Sequence, residues 1–207
     1  MDDILLSSKI IMADALTVLT ADMPCKKIII NNALYLRRYF VRENADGSQE
    51  WLHEFITEDG ERHLHSHPWN AISTILCGGY TEEYYYPTIT QTQFKEYRPG
   101  DHNIISPDRI HRIARVQSKT WTHMMVPPSR LPNWYFVNDK SEKEHIPSSP
   151  LNWWKNETTR DGDIPGLIAA RKFVQKKLGP PDMEKWASEV AKKLCSRLRA
   201  PTEGSTK

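Results

Sequence analysis

The feature that most constrains this chain is a train of short β-prone runs from residue 27 to residue 126, each stopped by turn residues. Ile28-Ile29-Ile30 and 34–41 are β-branched or aromatic-rich and flank Asn31-Asn32. Beyond Ala45-Asp46-Gly47-Ser48 come 51–57, 62–67, Ala71–Cys77, 81–86, Gln93–Tyr97, 103–106, 111–116 and 121–126. Asp59-Gly60, Gly78-Gly79 and Pro99-Gly100-Asp101 punctuate them, and such pairs mark turns because glycine and asparagine tolerate positive φ. About eight to ten short strands at near-regular spacing, with no helical pattern between them, predict an all-β sandwich or barrel.

The flanks read differently. Ile4, Leu5, Ile10, Ile11, Ala15 and Leu16 recur near a 3.6 period and predict a helix at the start of 2–24. Segment 127–165 is rich in Pro, Asn and Trp (Trp134, Trp153, Trp154) and is expected to be an irregular cover. Two helices are expected to follow. One, over 168–178, stops at Gly179-Pro180-Pro181, and the other, over 183–199, starts after Asp182 as N-cap. In the second, Trp186, Val190, Leu194 and Leu198 form one apolar stripe. The expected organisation is an N-terminal helical segment (1–26), a β-barrel (27–137), an irregular cover (138–165) and basic C-terminal helices with a tail (166–207).

Composition narrows the function. With 39% hydrophobic and 26% charged residues the chain can bury a core. No apolar run reaches the roughly 18 residues of a membrane span. An acidic start, Met1-Asp2-Asp3, and three widely spaced cysteines, Cys25, Cys77 and Cys195, suit a cytoplasmic protein without a disulfide framework. The net charge of +2 hides ten basic against four acidic residues in 166–207. Such a tail is compatible with nucleic acid or an acidic partner, but a solvated helix face is the ordinary case.

Seven of the eight histidines fall in 53–123. His63, His65 and His67 alternate, so in a strand all three point to one side. Neighbours on that side are about 6.7 Å apart. Two of them can share a metal; three spread over about 13 Å cannot easily do so. Strand geometry alone leaves open which two.

Spacing is more specific. Gly79 follows His65 by fourteen residues, and His111 follows Gly100 of Gly100-Asp101 by eleven. These offsets resemble the two metal-binding motifs of the cupin superfamily, over roughly residues 33–137. The resemblance implies a double-stranded β-helix (jelly-roll) barrel, with His65, His67 and His111 on metal-ligand positions. The glutamate many cupins add seven residues after the first His corresponds to Ile72. The implied site is therefore three neutral imidazoles, open to an anion or O₂. Imidazole suits Fe(II), Zn, Cu or Ni. Among these Fe(II) is the expected cofactor, with Zn, Ni or Mn as alternatives.

Within the superfamily the chain resembles the three-His thiol dioxygenases, typified by cysteine dioxygenase. His111-Arg112-Ile113 is similar to their His-Arg-Val, Glu83 falls on a family Glu, and His123 lies four residues before Pro127-Pro128 as their second-sphere His does. The resemblance implies catalytic roles for His123 and Glu83. It also implies a substrate carboxylate held by an early-strand arginine, Arg37 or Arg38. From the residues themselves, His63 reads as a residue supporting the ligands or lining the pocket, and Arg112 is a further substrate-binding candidate that strand parity turns away from His111, where a structural carboxylate pair is the alternative. The family's Tyr, Ser and cross-linking Cys correspond to Met125, Trp121 and Ile72, so the substrate differs. Uncharacterised bacterial and phage cupins resemble the chain more closely in His67-Pro68-Trp69, Ile75-Leu76-Cys77-Gly78-Gly79-Tyr80 and Thr120-Trp121-Thr122.

The expectation is a metal-dependent cupin oxygenase or dioxygenase acting on a small polar or anionic molecule, with a homodimer as default. The competing readings are an isomerase, epimerase or lyase on a sugar or nucleotide derivative, and a non-catalytic binding barrel with a basic tail.

Overall fold

The computed structural model describes residues 2–30, 32–58, 64–87, 91–137, 142–148, 150 and 152–162. The helices expected over 168–178 and 183–199, the basic tail and His63 lie outside the described residues.

The chain opens with helix α1 (Asp2–Leu19) and continues through β1 (Cys25–Ile30), β2 (Ala33–Glu43), β3 (Gln49–Phe55), β4 (Leu64–His65), β5 (Ala71–Cys77) and β6 (Tyr80–Tyr85). There follow β7 (Gln93–Tyr97), β8 (His102–Ile105), β9 (Ile110–Val116), β10 (Thr120–Val126), β11 (Asn133–Val137), β12 (Lys143–Pro147) and a 3₁₀ turn, Trp153–Asn156. Two six-stranded sheets result, in the orders β1-β2-β3-β10-β5-β8 and β12-β11-β4-β9-β6-β7. All their pairings are antiparallel. The central eight strands, β3 to β10, divide four to a sheet in the order of a jelly roll, two interleaved Greek keys. β1 and β2 extend one sheet, and β11 and β12 the other.

Strand alternation builds the interior. On β5, Ala71, Ser73, Ile75 and Cys77 are buried while Ile72 is 46% exposed. Phe40, Trp51, Trp69, Ala71, Ile105, Met124, Val126 and Trp153 form one apolar cluster; Ile75, Tyr80, Tyr97 and Ile113 form another, with Phe55 and Val116 against it. The outer side of the first sheet is also covered in part: α1 packs against β5, and Trp121 stacks on Tyr39 at 5.6 Å. Among the described residues no helix is long and apolar enough to cross a membrane.

Two local expectations change. Among the described residues of the strand expected over 62–67, Leu64–His65 is extended and His67 stands beyond its end. The 127–165 segment carries β11 and β12, which pair with each other and place Phe136 opposite His65. Trp134-Tyr135-Phe136 is a β-prone aromatic run, but its short length and proline-rich flanks hide a strand that forms only because β4 offers it an edge. The Trp153-Trp154 turn belongs to the core: Trp154 stacks on Phe40 at 4.2 Å and Trp153 meets Trp51 edge-on at 5.8 Å.

The β5–β6 turn needs glycine. Gly78 has φ +74°, and a Cβ there would lie 2.6 Å from the Thr120 Cα. The turn is pinned by the Gly79 amide, which donates to Thr120 Oγ1 at 2.9 Å.

Candidate metal centre

His65 and His111 are direct cross-strand partners on β4 and β9. His67, two residues past His65, turns back to complete a triangle. The ring centroids stand 5.1 Å (His65–His67), 5.0 Å (His65–His111) and 4.9 Å (His67–His111) apart. One ring nitrogen from each lies within 4.8 Å of the others. Aromatic walls fix the rings: His67 stacks on Trp69 at 5.3 Å, and His65 packs against Trp134 and Phe136.

Glu82 on β6 orients His111. It is fully buried; one carboxylate oxygen receives a short hydrogen bond from His111 Nδ1, and the other is 2.5 Å from Arg109 Nη2. Burial opposes ionisation, but His111 and Arg109 outweigh it and hold the Glu82 carboxyl below its ordinary pKa. An ionised Glu82 only accepts, so His111 carries a proton on Nδ1, and in the neutral imidazole Nε2 keeps its lone pair. That Nε2 is buried and has no hydrogen-bond partner. A buried polar atom without a partner costs about 1–3 kcal/mol, and a metal held by the three imidazoles would satisfy it. The donor set therefore fits a metal; the carboxylate behind a ligating imidazole is the usual supporting contact.

Arg109 is the other half of that support. It is 5% exposed, lies over the Tyr84 ring at 4.0 Å, and donates from Nη1 to Asn103 Oδ1 (2.9 Å) and the Ile104 carbonyl (2.8 Å). Tyr97 donates to Asn103 Oδ1 at 2.9 Å, and Asn103 Nδ2 donates to the Tyr80 hydroxyl at 3.0 Å. The network runs from a candidate ligand to the wall of the barrel.

The triangle opens into a cavity of about 290 Å³. His53 and Arg38 line it with the three histidines. Arg38 donates from Nε to His53 Nε2 at 3.1 Å and its guanidinium lies 4.5 Å from the Trp51 ring centre. His53 is 4% exposed, and burial, reinforced by the Arg38 charge, holds its pKa well below the usual imidazole value. It is neutral.

The other residues singled out from the sequence lie elsewhere. Arg37 is not among the cavity-lining residues; it pairs with Glu54 at 2.9 Å, one residue out of phase with Arg38. Arg112 and Glu83 bond each other at 2.7 Å and neither lines the cavity. His123 is bonded to Glu50 at 3.1 Å, and Glu50 also holds Arg42 at 2.6 Å. On β10 the cavity-lining residue is Met124, so the expected catalytic role of His123 meets a strand in the opposite phase. Trp121 and Met125 share the outward phase of His123, and Ile72 points outward from β5. Ala71 and Ser73, the inward neighbours of Ile72, bring no carboxylate to the cluster.

Sequence reasoning missed Glu82 and His53. Glu82 shares a strand face with Tyr84, the register partner of His111, which only pairing reveals. His53 had a visible signal: Trp51-x-His53-x-Phe55 alternates as an inward aromatic stripe.

No family model and no curated protein matches the sequence. Among solved structures, the chain is similar to Fe(II)-HppE with the alternative substrate (S)-1-HPP (TM-score 0.42, 12% identity, 52% of this chain and 57% of that one). It is also similar to the polyketide cyclase RemF from Streptomyces resistomycificus (TM-score 0.43, 17% identity, 57% and 82%). A third is an RmlC-like cupin from Ralstonia eutropha (TM-score 0.37, 13% identity, 78% and 88%). The match takes in little more than half the length of HppE. Strand order carries the fold assignment: the chain is a double-stranded β-helix (jelly-roll) barrel with a three-histidine cluster inside it.

Proposed function

We propose that the chain is a metal-dependent cupin enzyme, a mononuclear non-haem Fe(II) oxygenase of the three-histidine kind, acting on a small polar or anionic substrate. The observation that carries this is His111 Nε2, buried without a partner, in a triangle of imidazoles whose ring nitrogens lie within 4.8 Å. His65, His67 and His111 would hold the metal, which supplies Lewis acidity and, as iron, redox chemistry with O₂. Three neutral ligands leave its +2 charge uncompensated, which favours an anionic substrate. Glu82 keeps the His111 proton on Nδ1, and the aromatic walls around His65 and His67 keep bulk water away. Arg38 places a cation in the same cavity. His123 and Glu83 have no part in this reading.

Metal analysis of purified protein beside a His67→Ala variant tests it. Near-stoichiometric iron in the wild type and none in the variant, with O₂ uptake on a turned-over substrate, is the expected result. Stoichiometric zinc or nickel moves the reading to isomerase or lyase chemistry. No metal after anaerobic Fe(II) loading removes it.

A further inference from the structure

The hydrogen-bond network behind His111 has a fixed polarity, and it ends on the cavity wall. An arginine only donates. Arg109 gives Nη1 to Asn103 Oδ1 at 2.9 Å, and Nη2 to Glu82 and, at 3.2 Å, to the Tyr97 hydroxyl. The Asn103 oxygen therefore faces Arg109, and Tyr97 adds a second donor to it at 2.9 Å. That leaves the amide Nδ2 to donate to the Tyr80 oxygen at 3.0 Å. An amide nitrogen accepts nothing, so the Tyr80 proton is not spent on Asn103.

Ser73 on β5, in the facing sheet, hydrogen-bonds the Tyr80 hydroxyl. Two hydroxyl protons serve that one bond, so whichever group donates, one O–H is left over. Tyr80, Ser73 and Asn103 all line the cavity. Both hydroxyl residues are buried, and among the described residues neither has another side-chain hydrogen-bond partner. Burial and the Glu82 charge push the Tyr80 phenol well above its ordinary pKa, so the group stays protonated and is a donor. A buried donor without an acceptor is costly. A further lining donor, Trp69 Nε1, is also buried without a partner, which again calls for an acceptor.

We infer that Tyr80, with Ser73 beside it, is a specificity-determining residue that donates a hydrogen bond to a neutral, carbonyl-type oxygen of the substrate. The inference rests on the proposed reading of the cavity as the substrate site. The surroundings select a neutral acceptor. Phe55 packs on the Tyr80 ring at 5.7 Å, and Phe55 and Ile113 share the lining. A charged acceptor would give up its hydration here for one neutral O–H, whereas a ketone oxygen loses much less. The position is also separate from the imidazole triangle. On β6 Tyr80 stands four residues before Tyr84, the register partner of His111, which is about 13 Å of extended chain.

A matched pair of neutral probes, titrated into the full chain after chelator stripping, tests this. Acetophenone and α-methylstyrene share one skeleton and differ only in C=O against C=CH₂, so the ratio of their affinities isolates the acceptor. The expected ratio is about three- to tenfold in favour of the ketone, the net worth of one neutral hydrogen bond. Tyr80→Phe should remove most of it, and Ser73→Ala should spare it, because Tyr80 keeps its proton. Tyr97→Phe breaks the same network at a residue outside the lining. It should lower stability but spare the ratio, since Arg109 still orients Asn103. The infrared carbonyl band of bound acetophenone needs no variant: a hydrogen bond lowers its frequency relative to the ketone in alkane. An unshifted band, equal affinity for the two probes, saturable binding of neither, or a full preference in Tyr80→Phe overturns the inference. Protein that takes up metal and fails these readings overturns this inference alone. Protein that meets them and takes up no metal overturns the metal reading alone.

Discussion

Replacing Glu82 with glutamine separates support of the metal centre from support of the fold. The carboxylate is fully buried between Arg109 and His111. Glutamine has nearly the same shape but one acceptor oxygen and one amide donor. If the oxygen stays with Arg109, the amide faces His111 Nδ1, and the imidazole answers by moving its proton to Nε2. That is the nitrogen aimed at the cluster, so the ligand lone pair is lost. Loss of a supporting carboxylate ordinarily costs about 10- to 100-fold in metal affinity, or about 1.4–2.8 kcal/mol at about 1.4 kcal/mol per decade. The metal-free protein also loses stability, because Arg109, 5% exposed, is left without its counter-charge. Breaking a buried pair on one side costs about 3–5 kcal/mol. Chelator competition reads the first quantity, and denaturant melts of stripped protein read the second. Glu82→Asp, which keeps the charge, should recover part of both. A folded Glu82→Gln protein whose metal Kd stays within about twofold of wild type would refute the tautomer argument, because a decade is its smallest expected effect.

The neighbouring Glu83→Gln should leave metal affinity unchanged and cost under about 1 kcal/mol of stability, since its partner Arg112 is partly solvated; a loss of metal would reinstate Glu83 at the site. Folding holds the His53 pKa below its unfolded value near 6.5, so the unfolded chain binds the proton first. The His53 contribution is complete above about pH 6.5 and is lost as pH falls below it toward the folded pKa. Denaturant midpoints of His53→Phe should therefore flatten over that range, and an unchanged slope would count against a neutral His53. Gly78→Ala should be severely destabilised, because left-handed φ alone costs a residue with a side chain about 1–3 kcal/mol and the added Cβ would collide with the Thr120 backbone; a near-wild-type melt would contradict the turn geometry. Burial raises the Cys25 thiol to about 11, so at pH 8 peptide mapping should find it unmodified by thiol reagents in native protein and modified after denaturation.

Much of the barrel is legible in the chain. Ala71–Cys77 and Gln93–Tyr97 are strands over the residues their β-prone runs mark, because alternation and turn chemistry are local properties. His65, His67 and His111 are legible only because their spacing from Gly79 and Gly100 resembles the cupin motifs; strand geometry alone leaves open which histidines converge. β11 is not legible: a short aromatic run amid prolines becomes a strand only when β4 and β12 pair with it.

What the sequence by itself determined is therefore the β architecture and its punctuation, while the three converging imidazoles were marked by family resemblance and brought together by pairing of β4 with β9. The tertiary structure decided phase. Arg38 rather than Arg37, Glu82 rather than Glu83 and Met124 rather than His123 face the interior, and in each case the two residues are adjacent. A one-residue shift in a strand moves a side chain to the opposite face, and the bulges at Ile28/Ile29, Phe40/Arg42, Thr81/Glu82 and Trp121/Thr122 make such shifts part of this fold. Local residue type specifies that a strand exists, while only pairing with its neighbours specifies which of its two faces meets the cavity.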